Sequence, residues 1–308
     1  MTKIFIDGKE GTTGLRIYER IANRSDLDLI LLSDEERKDV EARRKALNSC
    51  DIAFLCLPDA AARESVALVD NPNVTIIDAS TAHRTDPRFV YGLPELSQEQ
   101  YTKIANSKRI AVPGCHAGGF VSLVKPLVDA GVISDELALT CFSITGYSGG
   151  GKKMIAEYES EDRDILLSSP RQYGVTQKHK HLPEMQAVPG LKTAPIFCPI
   201  VADYYSGMEV TVPLFAKDVK GGVEAIKNVY KNLYTGPIAK YVENSSENGL
   251  LASNILSGKD TLEVTVQGNE ERILLVARFD NLGKGASGAA VECMNISLGK
   301  DPTTGLEV

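Results

Sequence analysis

The chain has 308 residues, of which 43% are hydrophobic and 24% are charged, and its formal net charge is −7. These values are typical of a globular protein with a substantial core, and the length favours two domains over one. A negative charge without a long basic cluster argues against nucleic acid or an anionic membrane as a partner. No apolar run reaches the roughly 18 to 20 residues of a membrane span, and no secretory segment precedes the first strand pattern, so a cytoplasmic protein is expected.

A strand, a glycine-rich turn and a helix open the chain. Residues 2–7 form an apolar run, and apolar side chains return at helical spacing from Leu15. The turn between them has glycines at positions 8, 11 and 14. Such a turn lets backbone N–H groups and a helix N-terminus meet the pyrophosphate of a dinucleotide, although any glycine-rich turn between a strand and a helix looks similar.

The end of the second predicted strand indicates which dinucleotide is bound. This strand covers residues 27–32 and is followed by Ser33, where NAD enzymes often have an acidic residue for the ribose hydroxyls. Arg37 and Lys38 follow within one helical turn and suit the 2′-phosphate of NADP. The alternative is a solvated helix face, which the acidic residues 34–36 would also fit. We therefore predict NADP in preference to NAD.

Strands and helices continue to alternate up to residue 112. Helices are predicted at 35–47 and 60–69, and strands at 51–57, 74–79 and 110–112. The alternation predicts right-handed crossovers and a doubly wound parallel sheet of the Rossmann type. Ligands of such sheets bind at the carboxyl ends of the strands.

Cys115 differs from the other five cysteines in its local setting. It follows a Pro-Gly pair and precedes an apolar helical pattern that starts at Phe120, so its thiol is expected at a helix N-terminus. Backbone N–H groups and the positive end of the helix dipole favour a nucleophilic thiolate there. An ordinary buried thiol is the alternative, and the other cysteines are interpreted as reduced core thiols. Pro126 predicts a kink or an early end of this helix.

The second half of the chain has a different pattern. Strands are predicted at 137–145, 208–214, 261–266 and 273–279, with few crossovers between them, and an amphipathic helix at 222–233. This order predicts an α+β domain built on a mainly antiparallel sheet. An exposed face of that sheet favours a homo-oligomer, either a homodimer or a homotetramer.

A last helix, at about 286–298, is expected to return to the first domain. The predicted dinucleotide-binding domain therefore comprises residues 1–114 and 286–308. The predicted catalytic and oligomerisation domain comprises residues 115–285.

Two of the four histidines, His179 and His181, lie within one tetrapeptide beside lysines. Three interpretations are open. One is a zinc site, which lacks a third ligand at a persuasive spacing, and another is a solvated basic turn. The third is an acid/base imidazole beside an anion-binding patch, with Glu184 able to orient it. Because a nucleophilic cysteine needs such a partner, we expect Cys115 to pair with a histidine of this segment across the domain interface.

Six motifs occur in the order found in a known enzyme family. They are the glycine turn, Asp-x-Ser-x-x-x-Arg from residue 78, Pro-Gly-Cys from 113, Ser-Gly-x-Gly-Lys from 148, His-x-His-x-Pro-Glu from 179, and Asp-Asn-Leu-Gly-Lys-Gly-Ala from 280. With this ordered set, the sequence resembles N-acetyl-γ-glutamyl-phosphate reductase in its shorter bacterial form, within the semialdehyde dehydrogenase superfamily. The resemblance covers nearly the whole chain.

The resemblance implies an NADP(H)-dependent enzyme that reduces an acyl phosphate to an aldehyde in arginine biosynthesis. Cys115 would attack N-acetyl-γ-glutamyl phosphate and form a thioester, and inorganic phosphate would leave. Hydride from NADPH would then give N-acetylglutamate 5-semialdehyde. His181 is the expected acid/base residue, and His179 is the reserve.

Resemblance and position together imply the remaining site residues. The pyrophosphate loop would consist of Gly8, Gly11, Thr12, Thr13 and Gly14. Ser33 would bind the 2′-phosphate, and Ser80 and Asn281 would lie at the nicotinamide end. The cations Arg84, Lys152 and Lys153 are the candidates for binding the phosphate or carboxylate of the substrate, and His179 and Glu184 are further candidates for contact with the substrate. No metal ion is expected.

Two positions depart from the pattern of the family. His116 stands where many relatives have Tyr, and Ser206 stands where Gln or Arg is expected. The contacts that these two residues make with the substrate are therefore not predicted. The nearest alternative enzyme is aspartate-semialdehyde dehydrogenase, which shares the chemistry and the architecture. A Rossmann-type binding protein without catalysis and a zinc-binding structural module are alternatives of other classes, and the presence of Cys115 together with His181 argues against the first of them.

Overall fold

The computed structural model describes all residues of the chain, 1–308, and they form two units. The first unit comprises Met1–Pro94, Gln98–Pro113 and Ala286–Leu306. The second comprises Glu95–Ser97, Gly114–Gly285 and Glu307–Val308. This division differs from the predicted one at three places, since residues 95–97, residue 114 and residues 307–308 group with the second unit.

A six-stranded parallel sheet forms the centre of the first unit. Its strands are β1 (Thr2–Asp7), β2 (Leu27–Ile30), β3 (Ile52–Leu55), β4 (Thr75–Asp78), β5 (Val90–Tyr91) and β6 (Arg109–Ala111). Their spatial order is β2, β1, β3, β4, β6, β5, and each neighbouring pair is parallel. The predicted doubly wound parallel sheet is confirmed.

Helices cover both faces of this sheet. They are α1 (Thr12–Ile21), α2 (Val40–Ser49), α3 (Asp59–Ala67) and α4 (Gln98–Asn106). Ile17 and Ile21 of α1 belong to one apolar cluster, and Leu47 of α2 belongs to another. The predicted helix at 35–47 begins later than expected, at Val40, because the side chain of Asp39 caps it by accepting the N–H of Ala42 at 2.7 Å.

A seven-stranded mixed sheet forms the second unit. Its strands are β7 (Thr140–Gly146), β8 (Arg171–Gln172), β9 (Ile196–Ala202), β10 (Met208–Phe215), β11 (Ala239–Tyr241), β12 (Leu262–Gly268) and β13 (Arg272–Phe279). The order is β11, β12, β13, β10, β7, β9, β8. The pairs β11–β12 and β7–β9 are parallel and the other four are antiparallel, so the predicted mainly antiparallel sheet is confirmed.

One face of this sheet packs against helices. The helices of the second unit are α5 (Cys115–Asp129), α6 (Gly151–Tyr158), α7 (Leu182–Ala187) and α8 (Gly222–Leu233). Phe120 and Leu127 of α5 and Ile226 of α8 share the core with Val210 and Leu275 of the sheet. The opposite face shows exposed apolar side chains, namely Phe142, Ile196, Phe215 and Leu274. The alternation along each strand produces this difference between the faces.

Pro126 lies inside α5, and yet the helix neither stops nor is interrupted before Asp129. Proline lacks the N–H that would bond to the carbonyl of Ser122, four residues earlier. The hydroxyl of Tyr234 donates to that carbonyl at 2.5 Å, and the hydroxyl of Tyr230 donates to the carbonyl of Leu123 at 2.6 Å. Tyr234 therefore supplies the donor that proline cannot, and Tyr230 adds a hydrogen bond to the next carbonyl of the helix.

The last helix differs from the prediction at its start. Residues Gly283–Ser287 form a π-helical turn, and the helix α9 covers Gly288–Ser297. Asp280 causes the wider turn, because its carbonyl accepts the N–H of Gly285, five residues later, and its carboxylate accepts two further backbone N–H groups. Most of α9 is buried in the first unit. None of the nine helices is both long and apolar enough to cross a membrane.

Candidate functional site

The first unit contains a cavity of about 620 Å³ at the carboxyl ends of three parallel strands. Asp7 and Gly8 at the end of β1 line it, together with Leu32 after β2 and Cys56 after β3. This is where a doubly wound sheet binds its ligand. The cavity is large enough for part of a dinucleotide.

The predicted glycine turn forms one wall of this cavity. Gly8 has a φ of +86°, and a Cβ atom there would lie 2.4 Å from the carbonyl oxygen of Cys56, so only glycine fits. Gly11 also lines the cavity and precedes α1, whose N-terminus has neither a side-chain cap nor an acidic residue in its first turn. Thr12, Thr13 and Gly14 form that first turn. Open backbone N–H groups beside the cavity fit a pyrophosphate.

Ser33 and Arg37 lie after β2, but both are engaged within the chain. The backbone N–H of Ser33 donates to the carboxylate of Glu36 at 2.8 Å, and this bond lowers the pKa of Glu36. Arg37 pairs with Asp34 and, at 3.1 Å, with Glu10. Glu10, Asp34 and Arg37 line the cavity, and Arg37 is half-buried. A phosphate in the cavity would therefore compete with two carboxylates for this guanidinium.

The loop that follows β4 is held by hydrogen bonds to Asp78. Ser80 is buried and donates both its backbone N–H, at 2.9 Å, and its hydroxyl, at 2.8 Å, to this carboxylate. Arg84 donates to the carbonyls of Val112 at 2.9 Å and of Ala79 at 3.1 Å. The guanidinium of Arg84 thus fixes two strand ends of the first unit.

Cys115 is the first residue of α5, as the sequence predicted. The N–H of Gly114, which precedes it, donates to the carboxylate of the buried Glu184 at 2.9 Å. Cys115 is partly exposed, whereas burial raises the pKa of the Cys50 thiol to about 12 and that of Cys141 still further. Cys56 and Cys198 are also partly exposed, but Cys115 alone of the six cysteines begins an α-helix, where backbone N–H groups favour a thiolate.

The loop at residues 280–285 approaches Cys115 closely. A Cβ atom on Gly285 would lie 3.0 Å from the Cβ of Cys115, so a larger residue would press on the Cys115 side chain. Asn281 is held at both ends of its side chain, accepting the N–H of Gly207 at 2.9 Å and donating to the hydroxyl of Ser148 at 3.0 Å. The amide of Asn281 therefore has one fixed orientation.

Ser206 is buried in the same region. Its hydroxyl donates to the carboxylate of Asp280 at 2.7 Å and lies 2.5 Å from that of Ser257. The small side chain that departs from the family pattern thus supports the 280–285 loop. Lys152 and Lys153 are exposed in the first turn of α6, and Lys153 is 3.9 Å from Glu157.

An aromatic cluster surrounds His116, the residue that follows Cys115 in the sequence. The ring centroid of His116 is 5.6 Å from that of His181, 5.9 Å from His179 and 5.3 Å from Phe197. Nε2 of His116 is 2.6 Å from the hydroxyl of Tyr173. Burial lowers the pKa of the His116 imidazole to about 3 and that of His179 to about 4, so both rings are neutral at pH 7.

His181 is buried directly before α7, and its backbone N–H donates to Nδ1 of His179 at 3.2 Å. The expectation that the Cys–His pair spans a domain interface is wrong, because Cys115, His179 and His181 all belong to the second unit, and the pairing itself stays a prediction. No group of three or more His, Cys, Asp or Glu side chains is placed to hold a metal ion.

Sequence reasoning did not identify Tyr173 and Ser143 as parts of this region. Tyr173 follows β8 and Ser143 lies on β7, at 57 and 27 residues from His116, to which both are hydrogen-bonded. Neither residue belongs to a motif with a fixed spacing. Only the strand order, which places β7 and β8 on either side of β9, could have indicated that they converge.

Both halves of the chain match domains of one protein family, the semialdehyde dehydrogenases. Residues 3–104 match the family described as semialdehyde dehydrogenase, NAD binding domain, and residues 115–281 match semialdehyde dehydrogenase, dimerisation domain. An N-acetyl-gamma-glutamyl-phosphate reductase of Sinorhizobium medicae is 44% identical over 305 residues, which cover 96% of this chain and 98% of the relative. An N-acetyl-gamma-glutamyl-phosphate reductase 2 of Nostoc sp. is 42% identical, with 99% of each chain covered.

Solved structures share the fold at much lower identity. Aspartate semialdehyde dehydrogenase II of Vibrio cholerae, complexed with ASA, has a TM-score of 0.73 at 17% identity, with 97% of this chain and 98% of that chain covered. The aspartate semialdehyde dehydrogenase of Candida albicans with NADP has a TM-score of 0.69 at 15% identity, covering 96% and 98%. The resemblance seen in the sequence is confirmed: this chain belongs to the N-acetyl-γ-glutamyl-phosphate reductase family of the semialdehyde dehydrogenases.

Proposed function

We propose that the protein catalyses the NADPH-dependent reductive dephosphorylation of N-acetyl-γ-glutamyl phosphate to N-acetylglutamate 5-semialdehyde, a step of arginine biosynthesis. The observation that carries this proposal is the position of Cys115. It is a partly exposed thiol at the N-terminus of α5, next to a cluster of neutral histidines. The names and near-complete coverage of the relatives supply the substrate.

In this reaction the Cys115 thiolate attacks the acyl carbon of the substrate. The bond from that carbon to the phosphate oxygen breaks, inorganic phosphate leaves, and a thioester of Cys115 remains. A thioester suits reduction, because its carbonyl is less stabilised by resonance than that of an ester. NADPH, when bound, supplies the hydride. The resulting thiohemiacetal releases the aldehyde when the C–S bond breaks and the electron pair returns to sulfur.

His181 is the proposed acid/base group for this sequence. It takes the thiol proton of Cys115 before the attack, and it later manages the proton of the thiohemiacetal oxygen. A neutral imidazole is the form that accepts a proton, and its burial among other rings excludes water from the reacting atoms. Glu184 holds the backbone before Cys115 and so fixes the helix N-terminus that favours the thiolate.

The cavity of the first unit is the proposed site for NADPH. Gly8, Gly11 and the first turn of α1, Thr12 to Gly14, would hold the pyrophosphate through backbone N–H groups. Ser33 and Arg37 would bind the 2′-phosphate, which displaces Glu10 and Asp34 from the guanidinium. Ser80 and Asn281, each with a fixed side chain, are proposed for the nicotinamide end.

The substrate has two anionic ends, a carboxylate and an acyl phosphate, and it needs cations near them. Arg84 and Lys152 are proposed for this role, with His179 and Glu184 as neighbouring contacts. Lys152 is exposed to solvent and can reach an anionic substrate. Arg84 would bind the substrate while it keeps its hydrogen bonds to the carbonyls of Val112 and Ala79.

The experiment that tests this function follows the reaction in its easier direction. N-acetylglutamate 5-semialdehyde, phosphate and NADP are mixed with the wild type or with Cys115→Ala, and the absorbance of NADPH is recorded. We expect phosphate-dependent NADPH formation that Cys115→Ala abolishes. A parallel assay contains aspartate semialdehyde. Activity with that substrate alone would assign the protein to the neighbouring family, and silence with both, despite NADP binding, would mean a binding protein without catalysis.

A homodimer is proposed as the smallest assembly. A homotetramer would consist of two such dimers. The free face of the second-unit sheet carries Phe142, Ile196, Phe215 and Leu274, which are all exposed, and a second copy would cover them. The family that matches residues 115–281 is described as a dimerisation domain. Sedimentation of the wild type beside Phe142→Asp tests this. A monomeric wild type would refute the proposal.

A further inference from the structure

The side chain of Gln177 bonds both backbone groups of one residue on a neighbouring strand. Gln177 lies in the loop between β8 and α7, two residues before His179. Its Oε1 accepts the N–H of Phe197 on β9 at 2.9 Å, and its Nε2 donates to the carbonyl of Phe197 at 2.7 Å. Both distances are typical of well-formed hydrogen bonds. One amide group therefore satisfies the N–H and the C=O of Phe197 together.

This amide continues the pairing of β8 with β9 beyond the end of β8. The two strands are antiparallel, and the N–H of Tyr173, just after β8, still donates to the carbonyl of Pro199 at 2.9 Å. Alternate residues are hydrogen-bonded in an antiparallel pair, so Phe197 is the next residue of β9 that needs a partner on this side. The chain has turned away by then, and the amide of Gln177 takes the place of a strand.

The backbone of Gln177 is held as firmly as its side chain. Its N–H donates to the carbonyl of Gly174 at 2.9 Å, and its φ is +55°. Gln177 and Asn248 are the only non-glycine residues of the chain with a positive φ. Glycine adopts this conformation more readily than glutamine, and such strain persists where the surroundings fix a residue in place. The conformation therefore directs attention to the amide, which glycine lacks.

The segment that this amide fixes carries two histidines. The ring centroid of His179 is 5.1 Å from that of Phe197 and 4.8 Å from that of His181. Nδ1 of His179 accepts the backbone N–H of His181 at 3.2 Å, and the carbonyl of His179 accepts the N–H of Leu182, where α7 begins, at 3.1 Å. Gln177 and His179 thus contact the same residue, one at its backbone and the other at its ring. A continuous series of contacts leads from the amide of Gln177 to His181.

We propose that Gln177 is a positioning residue whose amide pairs with Phe197 as a strand would, and thereby fixes the rings of His179 and His181. This inference rests on the proposed function, since it takes His181 as the acid/base group of that mechanism. Because both ends of the amide are bonded to Phe197, Gln177 acts through the histidines and not on the reacting atoms. Loss of the amide would leave the backbone groups of Phe197 to water and allow the segment 177–181 to move.

Two substitutions distinguish this role from packing alone and from the turn alone. Gln177→Glu keeps the size of the side chain, but a carboxylate has no proton to donate to the carbonyl of Phe197. Gln177→Gly adopts a positive φ without strain but has no amide. A misplacement of about 1 Å can cost about a hundredfold, and these displacements are smaller, so we expect each variant to lower kcat about tenfold in the reductase assay. KM for the semialdehyde should change less than about twofold.

The four histidines of the chain allow a direct measurement of the ring positions by NMR. In protein with isotope-labelled histidine, the ring signals of His179 and His181, assigned from His179→Asn and His181→Asn, should shift in both variants. The signal of His83, in the first unit, should not. The matched control is Gln186→Ala, which removes a glutamine bond to the backbone carbonyl of Lys192, at 3.0 Å, in the same unit. It should leave kcat and the histidine signals as in the wild type, and thermal unfolding checks that every variant is folded.

The outcomes separate the alternatives. A wild-type kcat in Gln177→Glu would mean that only the shape of the side chain matters, and a wild-type kcat in Gln177→Gly would mean that only the turn matters. Either result would overturn the proposal, and so would unshifted signals of His179 and His181 in both variants. The NMR comparison needs no substrate. Shifted signals together with an inactive wild type would therefore refute the proposed function and leave the fixing of the rings in place, so the two failures are distinguishable.

Discussion

The dinucleotide cavity of the first unit and the Cys115 region of the second are built from different parts of the chain. The cavity presents backbone: two glycines, an uncapped helix N-terminus and strand ends. Its charged side chains sit at the rim and pair with one another. The Cys115 region presents buried side chains, His116, Tyr173 and Ser143, which are bonded in series. A site built from backbone groups tolerates side-chain substitutions but is disrupted when the backbone moves. A site built from side chains is disrupted by substitution of those side chains and is less sensitive to small backbone movements.

The largest effect is expected from His181. Loss of a general acid/base group costs about 10² to 10⁴ in rate, so His181→Asn should lower kcat by at least a hundredfold in the reductase assay. His179→Asn is the matched control and should cost less than tenfold, because the Nδ1 of that ring already accepts the backbone N–H of His181. The reverse order of effects would assign the acid/base role to His179.

The backbone site should fail when the path of its chain changes. Gly8→Val places a Cβ against the carbonyl of Cys56 at a φ that valine avoids, so the glycine turn must move. A displacement of about 1 Å can cost about a hundredfold, and we expect a loss of that order in NADPH affinity, measured by fluorescence titration. Gly236→Ala, where a Cβ meets nothing within 4 Å, should bind normally. Unchanged affinity in Gly8→Val would place the cofactor elsewhere.

A smaller effect is expected at the rim of the cavity. Arg37→Met removes the cation proposed for the 2′-phosphate, so KM for NADPH should rise about tenfold while KM for NADH stays constant. Arg44→Met is the control, since Arg44 pairs with Asp70 and does not line the cavity. Parallel changes for both cofactors would show that Arg37 does not select between them.

The smallest effect is the pH dependence of stability. A histidine in the unfolded chain titrates near 6.5, whereas burial lowers the pKa of His116 to about 3. Below pH ~6.5 the unfolded chain therefore binds a proton at this position that the folded chain refuses, and His116 lowers stability by up to ~1.4 kcal/mol per pH unit. His179, whose pKa burial lowers to about 4, acts in the same direction. Urea unfolding at pH 7, 6 and 5 measures this slope. His116→Gln should reduce the slope, and Tyr230→Phe should leave it as in the wild type.

The sequence predicted the first unit better than the second. The signals of the first unit are local in the sequence, whereas many elements of the second depend on contacts between residues that are distant in the sequence. Alternating strands and helices and the glycine turn are local patterns. The start of α2 at Val40 was shifted by one capping residue, Asp39, and only the short elements β5 and α4 were not predicted. In the second unit the helices α6 and α7 and the strands β8, β9 and β11 were not predicted. All of them except β9 are short, and their stability comes from tertiary contacts.

The candidate site likewise contains residues with a local sequence signal and residues that only the fold brings together. Cys115 was identified because a Pro-Gly pair before a helix is a local signal. The bonds of His116 were not foreseen, because Ser143 and Tyr173 are brought to it by the sheet order rather than by sequence distance. Arg37 was identified, but its carboxylate partner Glu10 comes from another loop.

The proline in α5 has a consequence for how the enzyme responds to heat. Ser122 is seven residues after Cys115, about 10 Å along the helix axis, and its carbonyl is bonded to the Tyr234 hydroxyl in place of a helical N–H. Any loosening of the end of α8 removes that donor and opens the middle of α5 to water. Protection of the α5 amides against hydrogen exchange would then fall in step with that of α8. If α5 unfolds from there to its start, the first-turn N–H groups around Cys115 would be lost before the sheet beneath them unfolds, so inactivation would precede global melting.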